Sequence, residues 1–325
     1  MKNIMAAVLL LLVFGFLASG SAGQEICEGA AGIKTLSLKV DGLTRTYTVF
    51  EPSRYSRQQP VPLVIVLHGA GGVGQGIIQE TAWDRKAESE NFLVVFPDAM
   101  RPNPQSEPSF LVNPQVWNDG ADRGQEFLRD VNDVKFLSLM LGDLRQKYAI
   151  DWNAVYLAGF SNGASMGFKA ALELPGKFAA LAAVSGSFWP RAGFAELQKS
   201  IPTIFIAGTA DPFNPVDGGS IRLPWGTFEQ PSLMTTIDKW ARLNGIHKGL
   251  RPIAGRSGVR VYEGMGNKHS VMRAYLVEGL GHMWPGGEAI FPEEYIGKDP
   301  RVVNATDLIW DFFAEVRERE IKGGV

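Results

Sequence analysis

The sequence predicts an α/β fold with a mostly parallel central sheet and helices on both faces, and three observations carry that expectation. Short continuous apolar runs recur at Val61–Leu67 (VPLVIVL), Phe92–Phe96 (FLVVF), Ala154–Ala158, Leu181–Val184 and Pro202–Ala207. Runs without polar alternation suit strands that are covered on both sides. Helix-period patterns lie between these runs, and strand–helix alternation is the mark of a parallel sheet. The 325 residues are 45% hydrophobic and 20% charged, with 37 Gly and 19 Pro. That composition excludes a disordered tail, a collagen-like repeat and a coiled coil.

The first segment reads as an export signal. Lys2 is its only charge, Met5–Leu17 is almost unbroken apolar sequence, and Ser19-Gly20-Ser21-Ala22-Gly23 supplies small residues before Gln24. The apolar stretch is shorter than the roughly 20 residues of a bilayer-spanning helix. Cleavage after Ala22 or Gly23 is therefore expected, with a retained anchor as the alternative. Residues 1–23 are read as the signal peptide and 24–325 as a single domain, secreted or periplasmic, with no membrane attachment after cleavage. Cys27 is the sole cysteine, which excludes an intramolecular disulfide and a Cys-built zinc site. The net charge of −2 gives no electrostatic footing for a nucleic-acid partner.

Val134, Leu137, Leu141, Leu144 and Tyr148 form one apolar helical stripe, with Asp130 or Asn132 as its cap. Leu233, Ile237, Trp240 and Asn244 repeat the pattern behind Ser232. Val271–Val277 is a further strand. Ile309, Phe312, Phe313 and Val316 mark a C-terminal helix. Asn304-Ala305-Thr306 is a glycosylation sequon that reads equally as a helix cap by Asn304 or Thr306. Met100–Asp122, with four prolines, and Pro212–Gln230 are long loops of the kind that shape substrate pockets.

The chemistry starts at Tyr156-Leu157-Ala158-Gly159-Phe160-Ser161-Asn162-Gly163, where a strand runs through G-x-S-x-G into a helix of small residues. A nucleophilic Ser on such a turn needs small neighbours, because side chains flanking it clash. An overlapping match centres on Ser165, but that residue falls one turn inside the helix, where a hydroxyl bonds a backbone carbonyl. Ser161 is therefore the candidate nucleophile. In this architecture the acid and then the base follow in the chain. Of the four His, His68 precedes Ser161, while His247 and His269 lie in polar segments. His282 sits in a Gly-rich loop just past a strand and is the candidate base. Asp211, past the strand Ile204–Ala207, is the candidate acid that orients the imidazole, with Asp217 as its rival. The loop His68-Gly69-Ala70-Gly71-Gly72 follows an early strand and suits an oxyanion hole. Ala70 or Gly71 would supply one N–H and Asn162 the other. Gly69-x-Gly71-x-x-Gly74, with Asp98 beyond, also matches a dinucleotide fingerprint. A position far into an exported chain counts against that reading.

These residues resemble a known group, the secreted polyhydroxybutyrate-depolymerase-like and feruloyl-esterase-like branch of the α/β-hydrolases. LVIVLHGAGG (63–72), VVFPDA (94–99), VWNDG (116–120) and NDVKFLSLMLGDL (132–144) carry the resemblance. So do VYLAGFSNGA (155–164), GTADPFNP (208–215) and GLGHMWPGG (279–287). It implies an α/β-hydrolase fold and a serine esterase with Ser161 as nucleophile, Asp211 as acid and His282 as base. It also implies Trp117 and Trp284 near the substrate. Neither metal nor organic cofactor is expected. The expected partner is a small or oligomeric ester carrying a hydroxybutyrate, feruloyl or acetyl group. An acyltransferase with the same three residues and a silent binding protein on the same scaffold are the alternatives.

Overall fold

The computed structural model describes residues 32–121, 126–189, 197–223, 226–266 and 271–323; the leader-like segment, Cys27 and His269 lie outside them. Strands β1 (Ile33–Val40), β2 (Leu43–Phe50) and β3 (Val61–Leu67) come first. Helices α1 (Gly74–Thr81) and α2 (Trp83–Glu90) lead to β4 (Leu93–Pro97). Next come α3 (Asp133–Lys147), β5 (Ile150–Phe160), α4 (Asn162–Glu173), β6 (Ala180–Val184) and β7 (Thr203–Gly208). A hairpin of β8 (Gly219–Leu223) and β9 (Gly226–Gln230) precedes α5 (Leu233–Leu243). Then β10 (Arg251–Arg256), β11 (Val259–Met265) and β12 (Val271–Val277) run to the short α6 (Glu293–Ile296) and the terminal α7 (Ala305–Gly323).

One ten-stranded sheet has the order β1-β2-β4-β3-β5-β6-β7-β12-β11-β10. From β4 to β12 every neighbouring pair is parallel. The outer strands on both sides are antiparallel. β3 explains why a continuous apolar run marks the centre. Leu63, Ile65 and Leu67 pack on one face with Leu137 of α3, Phe168 of α4 and Trp240 of α5. Val64 and Val66 pack on the other with Ile77 of α1, Trp83 of α2 and Phe313 of α7. Both faces are dry, so both residue parities must be apolar.

The inner strands fall where the apolar runs predict them, and β3 and β12 coincide with Val61–Leu67 and Val271–Val277. The outer strands β1, β2, β10 and β11 have no such runs, because water reaches one face or more; β10 is exposed along its whole length. Of the alternative caps, Asn132 accepts the Lys135 N–H at 2.9 Å and Asn304 accepts that of Asp307 at 3.1 Å. Ser232 caps α5 by accepting from the Thr235 N–H at 3.1 Å. Among the described residues no helix is long and apolar enough to cross a membrane.

Two buried polar arrangements fix the loops above the sheet. The Arg45 guanidinium meets Asp133 at 2.6 Å, with side chains 2% and 0% exposed, and also donates to the Asp98 carbonyl at 3.0 Å. Asp133 in turn accepts the Asn118 N–H at 2.7 Å. His68, at the end of β3, is wholly buried; its Nε2 accepts the Ala99 N–H at 3.1 Å, and its Nδ1 donates to the Gly69 carbonyl at 2.7 Å. That pattern requires the neutral ring, and burial holds the imidazole below its ordinary pKa.

Two outcomes follow from this wiring. Arg45→Ala leaves Asp133 as an unpaired buried charge and costs about 3–5 kcal/mol, read from urea unfolding. For His68 the unfolded chain binds a proton near pH 6.5, which the folded chain resists. Its contribution to stability is complete above that pH and is lost as pH falls through the window below it. Unfolding free energies of His68→Gln, measured from pH 5 to 8, show a flatter dependence on pH than those of the wild type.

Candidate active site

Ser161 occupies the turn between β5 and α4 with φ 54° and ψ −119°, a conformation that strains a residue with a side chain. Neighbours without side chains make the turn possible. A Cβ on Gly159 would strike the Gly163 carbonyl, and one on Gly163 would strike that of Leu67. The Ser161 N–H donates to the Val184 carbonyl of β6 at 2.8 Å, which ties the turn to the sheet. Ser165 lies inside α4, 2% exposed, and accepts from the Ser187 N–H at 3.0 Å while its hydroxyl faces the Ser161 carbonyl at 3.4 Å. It braces the loop after β6.

Ser161, His282 and Asp211 meet above the C-terminal ends of β5, β12 and β7. His282 Nε2 is 2.9 Å from Ser161 Oγ. Its Nδ1 is 2.8 Å from Asp211 Oδ2 and 3.0 Å from Oδ1. Asp211 is 3% exposed and also accepts the N–H groups of Phe213 and Asn214, each at 2.8 Å. The carboxylate is thereby locked in orientation. The imidazole is gripped by aromatic rings, with Phe160 at 5.0 Å and Phe213 edge-on at 5.1 Å between centroids. The rival Asp217 is exposed, as is His247.

The loop after β3 reaches the same point. A Cβ on Gly69 would sit 3.3 Å from the Ser161 Cβ. Ala70 has no acceptor for its N–H among the described residues. Asn162 is the first residue of α4, where a helix leaves its N–H groups without intrahelical partners. The Gly71 N–H is already taken: it donates to the Gln115 carbonyl at 2.7 Å. Of the two residues named for that part of the oxyanion hole, Ala70 is the one with a free donor.

Both tryptophans stand beside the site, Trp117 bonded to Asn162 and Trp284 edge-on to Phe160 at 6.5 Å between centroids, but their rings are packed away. Trp117 is fully buried, and its indole N–H donates to the His68 carbonyl at 3.0 Å. Trp284 is 3% exposed, and its indole N–H donates to Thr306 Oγ1 at 2.9 Å. Neither ring offers a substrate surface. Each is a packed indole whose polar atom had to find a partner, and both brace the loops that carry the site.

The sequence reading overlooked the side chain of Asn162. Its Oδ1 accepts the Trp117 N–H at 2.8 Å, and its Nδ2 donates to the Trp117 carbonyl at 3.1 Å and to Asp119 at 2.8 Å. Nothing short of the folded loop reveals that clamp. Phe160 and Phe213 were also overlooked, although their positions beside Ser161 and Asp211 were a usable signal. Asp98, the acid of the dinucleotide reading, is spent on structure: it accepts from the Gly74 N–H at 2.8 Å and from Thr46 Oγ1 at 2.7 Å.

Comparison with known proteins gives the family and the fold. Residues 53–222 match the phospholipase/carboxylesterase family. The chain is 27% identical over 288 residues to the putative esterase NocK of Nocardia uniformis subsp. tsuyamanensis, covering 84% of this chain and 80% of that protein. It is 31% identical over 156 residues to feruloyl esterase D of Neurospora crassa, 47% of this chain and 49% of that one. Among solved structures, an acetyl xylan esterase from Aspergillus awamori superposes with a TM-score of 0.56 at 15% identity, over 86% of this chain and 99% of its own. An S-formylglutathione hydrolase from Agrobacterium tumefaciens gives 0.56 at 12% identity, over 89% and 97%. Those two likenesses are of fold. An α/β-hydrolase sheet and a family match over more than half its length identify this chain as a carboxylic ester hydrolase, a member of the phospholipase/carboxylesterase family.

Proposed function

We propose that the chain is an exported serine esterase that works through Ser161, His282 and Asp211 and a covalent acyl-enzyme. The observation that carries this reading is the unbroken hydrogen-bonded line from Ser161 Oγ through His282 to Asp211, at 2.9 and 2.8 Å. His282 Nε2 takes the Ser161 proton as the oxygen attacks the ester carbonyl. The Nδ1–H stays bonded to Asp211, which fixes the tautomer and stabilises the imidazolium. Negative charge on the carbonyl oxygen falls toward the N–H groups of Ala70 and Asn162, each worth about 3 kcal/mol in such a site. His282 then protonates the departing alcohol, and water, deprotonated by the same nitrogen, releases the acid.

Hydroxybutyrate, feruloyl and acetyl esters are the proposed substrates. The motif resemblance supports them, as do the names of relatives, which include a feruloyl esterase and a bifunctional acetylxylan esterase/xylanase. Export rests on the apolar run Met5–Leu17 and the small residues after it.

The deciding experiment compares wild type and Ser161→Ala on nitrophenyl, feruloyl and hydroxybutyrate esters. Wild type hydrolyses at least one of them and is labelled by a fluorophosphonate. Ser161→Ala loses turnover by about 10⁴-fold or more and is not labelled, with an unchanged unfolding midpoint. Retained turnover in that variant refutes the assignment.

A further inference from the structure

The short segment Gln115–Asp119 bonds to both sides of the proposed oxyanion hole. Toward the loop after β3, its Gln115 carbonyl accepts the Gly71 N–H at 2.7 Å, and its Trp117 indole N–H donates to the His68 carbonyl at 3.0 Å. Toward α4 it meets the Asn162 side chain in three bonds. The Trp117 N–H donates to Asn162 Oδ1 at 2.8 Å, and Asn162 Nδ2 donates to the Trp117 carbonyl at 3.1 Å and to Asp119 Oδ2 at 2.8 Å. Gln115, Trp117, Asp119 and Asn162 are all buried.

The segment is itself held in place. The Val116 N–H donates to the Met100 carbonyl at 2.8 Å. Asn118 donates its N–H to Asp133 Oδ2 at 2.7 Å and its Nδ2 to the Leu128 and Val131 carbonyls, each at 2.9 Å. The Asn118 carbonyl accepts from Lys169 Nζ of α4 at 2.5 Å. Residues 115–119 therefore form a fixed strut between the two elements.

The Asn162 side chain is placed for this strut and not for its own helix. Ser and Asn are favoured as helix caps, where the side chain accepts an N–H of the first turn. Ser161 and Asn162 open α4, yet Ser161 makes no capping bond and Asn162 Oδ1 is spent on Trp117. Asp119 also accepts the Ala121 N–H at 3.0 Å, which leaves its other oxygen aimed at the Asn162 amide. The two oxyanion donors stand on different elements, Ala70 past the end of β3 and Asn162 at the head of α4. β3 and β5 pair in parallel only as far as Leu67 and Gly159, so the ladder does not set distances beyond them. An oxyanion needs each donor at about 2.7–3.1 Å, and a misplacement of about 1 Å can cost about 10²-fold in rate.

We propose that the Asn162 side chain and Trp117 are positioning residues that set the spacing of the Ala70 and Asn162 N–H groups, with Asp119 backing the Asn162 amide. The proposal rests on the reading of Ser161, His282 and Asp211 above. Its effect falls on the state in which the carbonyl oxygen is negative, in acylation and deacylation alike, and not on binding of the neutral ester.

The test measures kcat and KM on nitrophenyl acetate for Asn162→Ala, together with the inhibition constant of an alkyl trifluoromethyl ketone. Ser161 Oγ adds to the ketone carbon, the hydroxyl proton passes to His282, and the former carbonyl oxygen carries the negative charge, so this adduct needs both donors. In Asn162→Ala kcat falls about 10- to 100-fold, KM changes less than about 3-fold, and the inhibition constant rises by a factor similar to the loss in kcat. Trp117→Phe, which keeps an aromatic ring and deletes the indole N–H, shows the same split at smaller size. If Asn162→Ala does not fold, Asp119→Ala gives the same comparison, and Asp119→Asn, which returns an acceptor to the Asn162 amide, recovers most of the loss. An Asn162→Ala enzyme with the kcat of the wild type overturns the proposal and leaves the triad standing. So does a fall in kcat with the inhibition constant unmoved, the mark of a merely structural role, or a rise in KM at unchanged kcat. A wild type that hydrolyses no ester overturns the triad reading and this proposal together.

Discussion

The turn at Ser161 is the constraint on which the rest of the site depends. A residue with a side chain is held at φ 54°, ψ −119°, a conformation that costs of order 1–3 kcal/mol and persists only where its surroundings leave no other choice. Here they leave none. The Ser161 N–H is committed to β6, Gly159 presses on the backbone of Gly163 and Gly163 on that of Leu67, and Gly186 allows the loop after β6 to pass against the Ser161 carbonyl. The reward is position. The hydroxyl stands clear of the sheet edge, and the first N–H of α4 is delivered beside it.

Around that turn, buried polar bonds do what apolar packing cannot, which is to set direction. Arg45, Asp133 and Asn118 hold the start of α3 to the loop before it. Asn162, Trp117 and His68 link α4, the same loop and the end of β3 in one chain of hydrogen bonds. His68 passes that chain on to Ala99, past the end of β4. Such networks specify a single arrangement, because breaking a buried member strands a polar group. The aromatic grip of Phe160 and Phe213 on His282 adds orientation without another proton acceptor.

Much of this was legible in the sequence, for a physical reason. A strand buried on both faces must be apolar at every position, so VPLVIVL announces itself. Strand β10 is exposed along its whole length and β11 does not bury every residue, so neither carries a continuous apolar run. The residues that converge on Ser161 were legible because a tight strand-to-helix turn demands Gly at fixed spacing. The sequence brings Trp117 and Trp284 to the site but does not give their role, because an indole beside a motif looks the same whether it faces a ligand or braces a loop. Only the destination of its N–H separates the two. The choice between Ala70 and Gly71 stays open in the sequence for a similar reason, since a Gly-rich loop offers several donors and the sequence does not say which are already taken.

The bond from Gly71 to the Gln115 carbonyl has a consequence for how this scaffold diversifies. It fastens the strip of backbone beside Ser161 to the proline-rich stretch around residues 100–121. Phe110, from that stretch, rests its ring on Gly71 as well. Insertions or transplants there, the ordinary route to new selectivity, would tug on the machinery itself. Changing what this catalyst accepts and preserving how fast it turns over are therefore coupled traits, and remodelling one calls for compensating substitutions in the other.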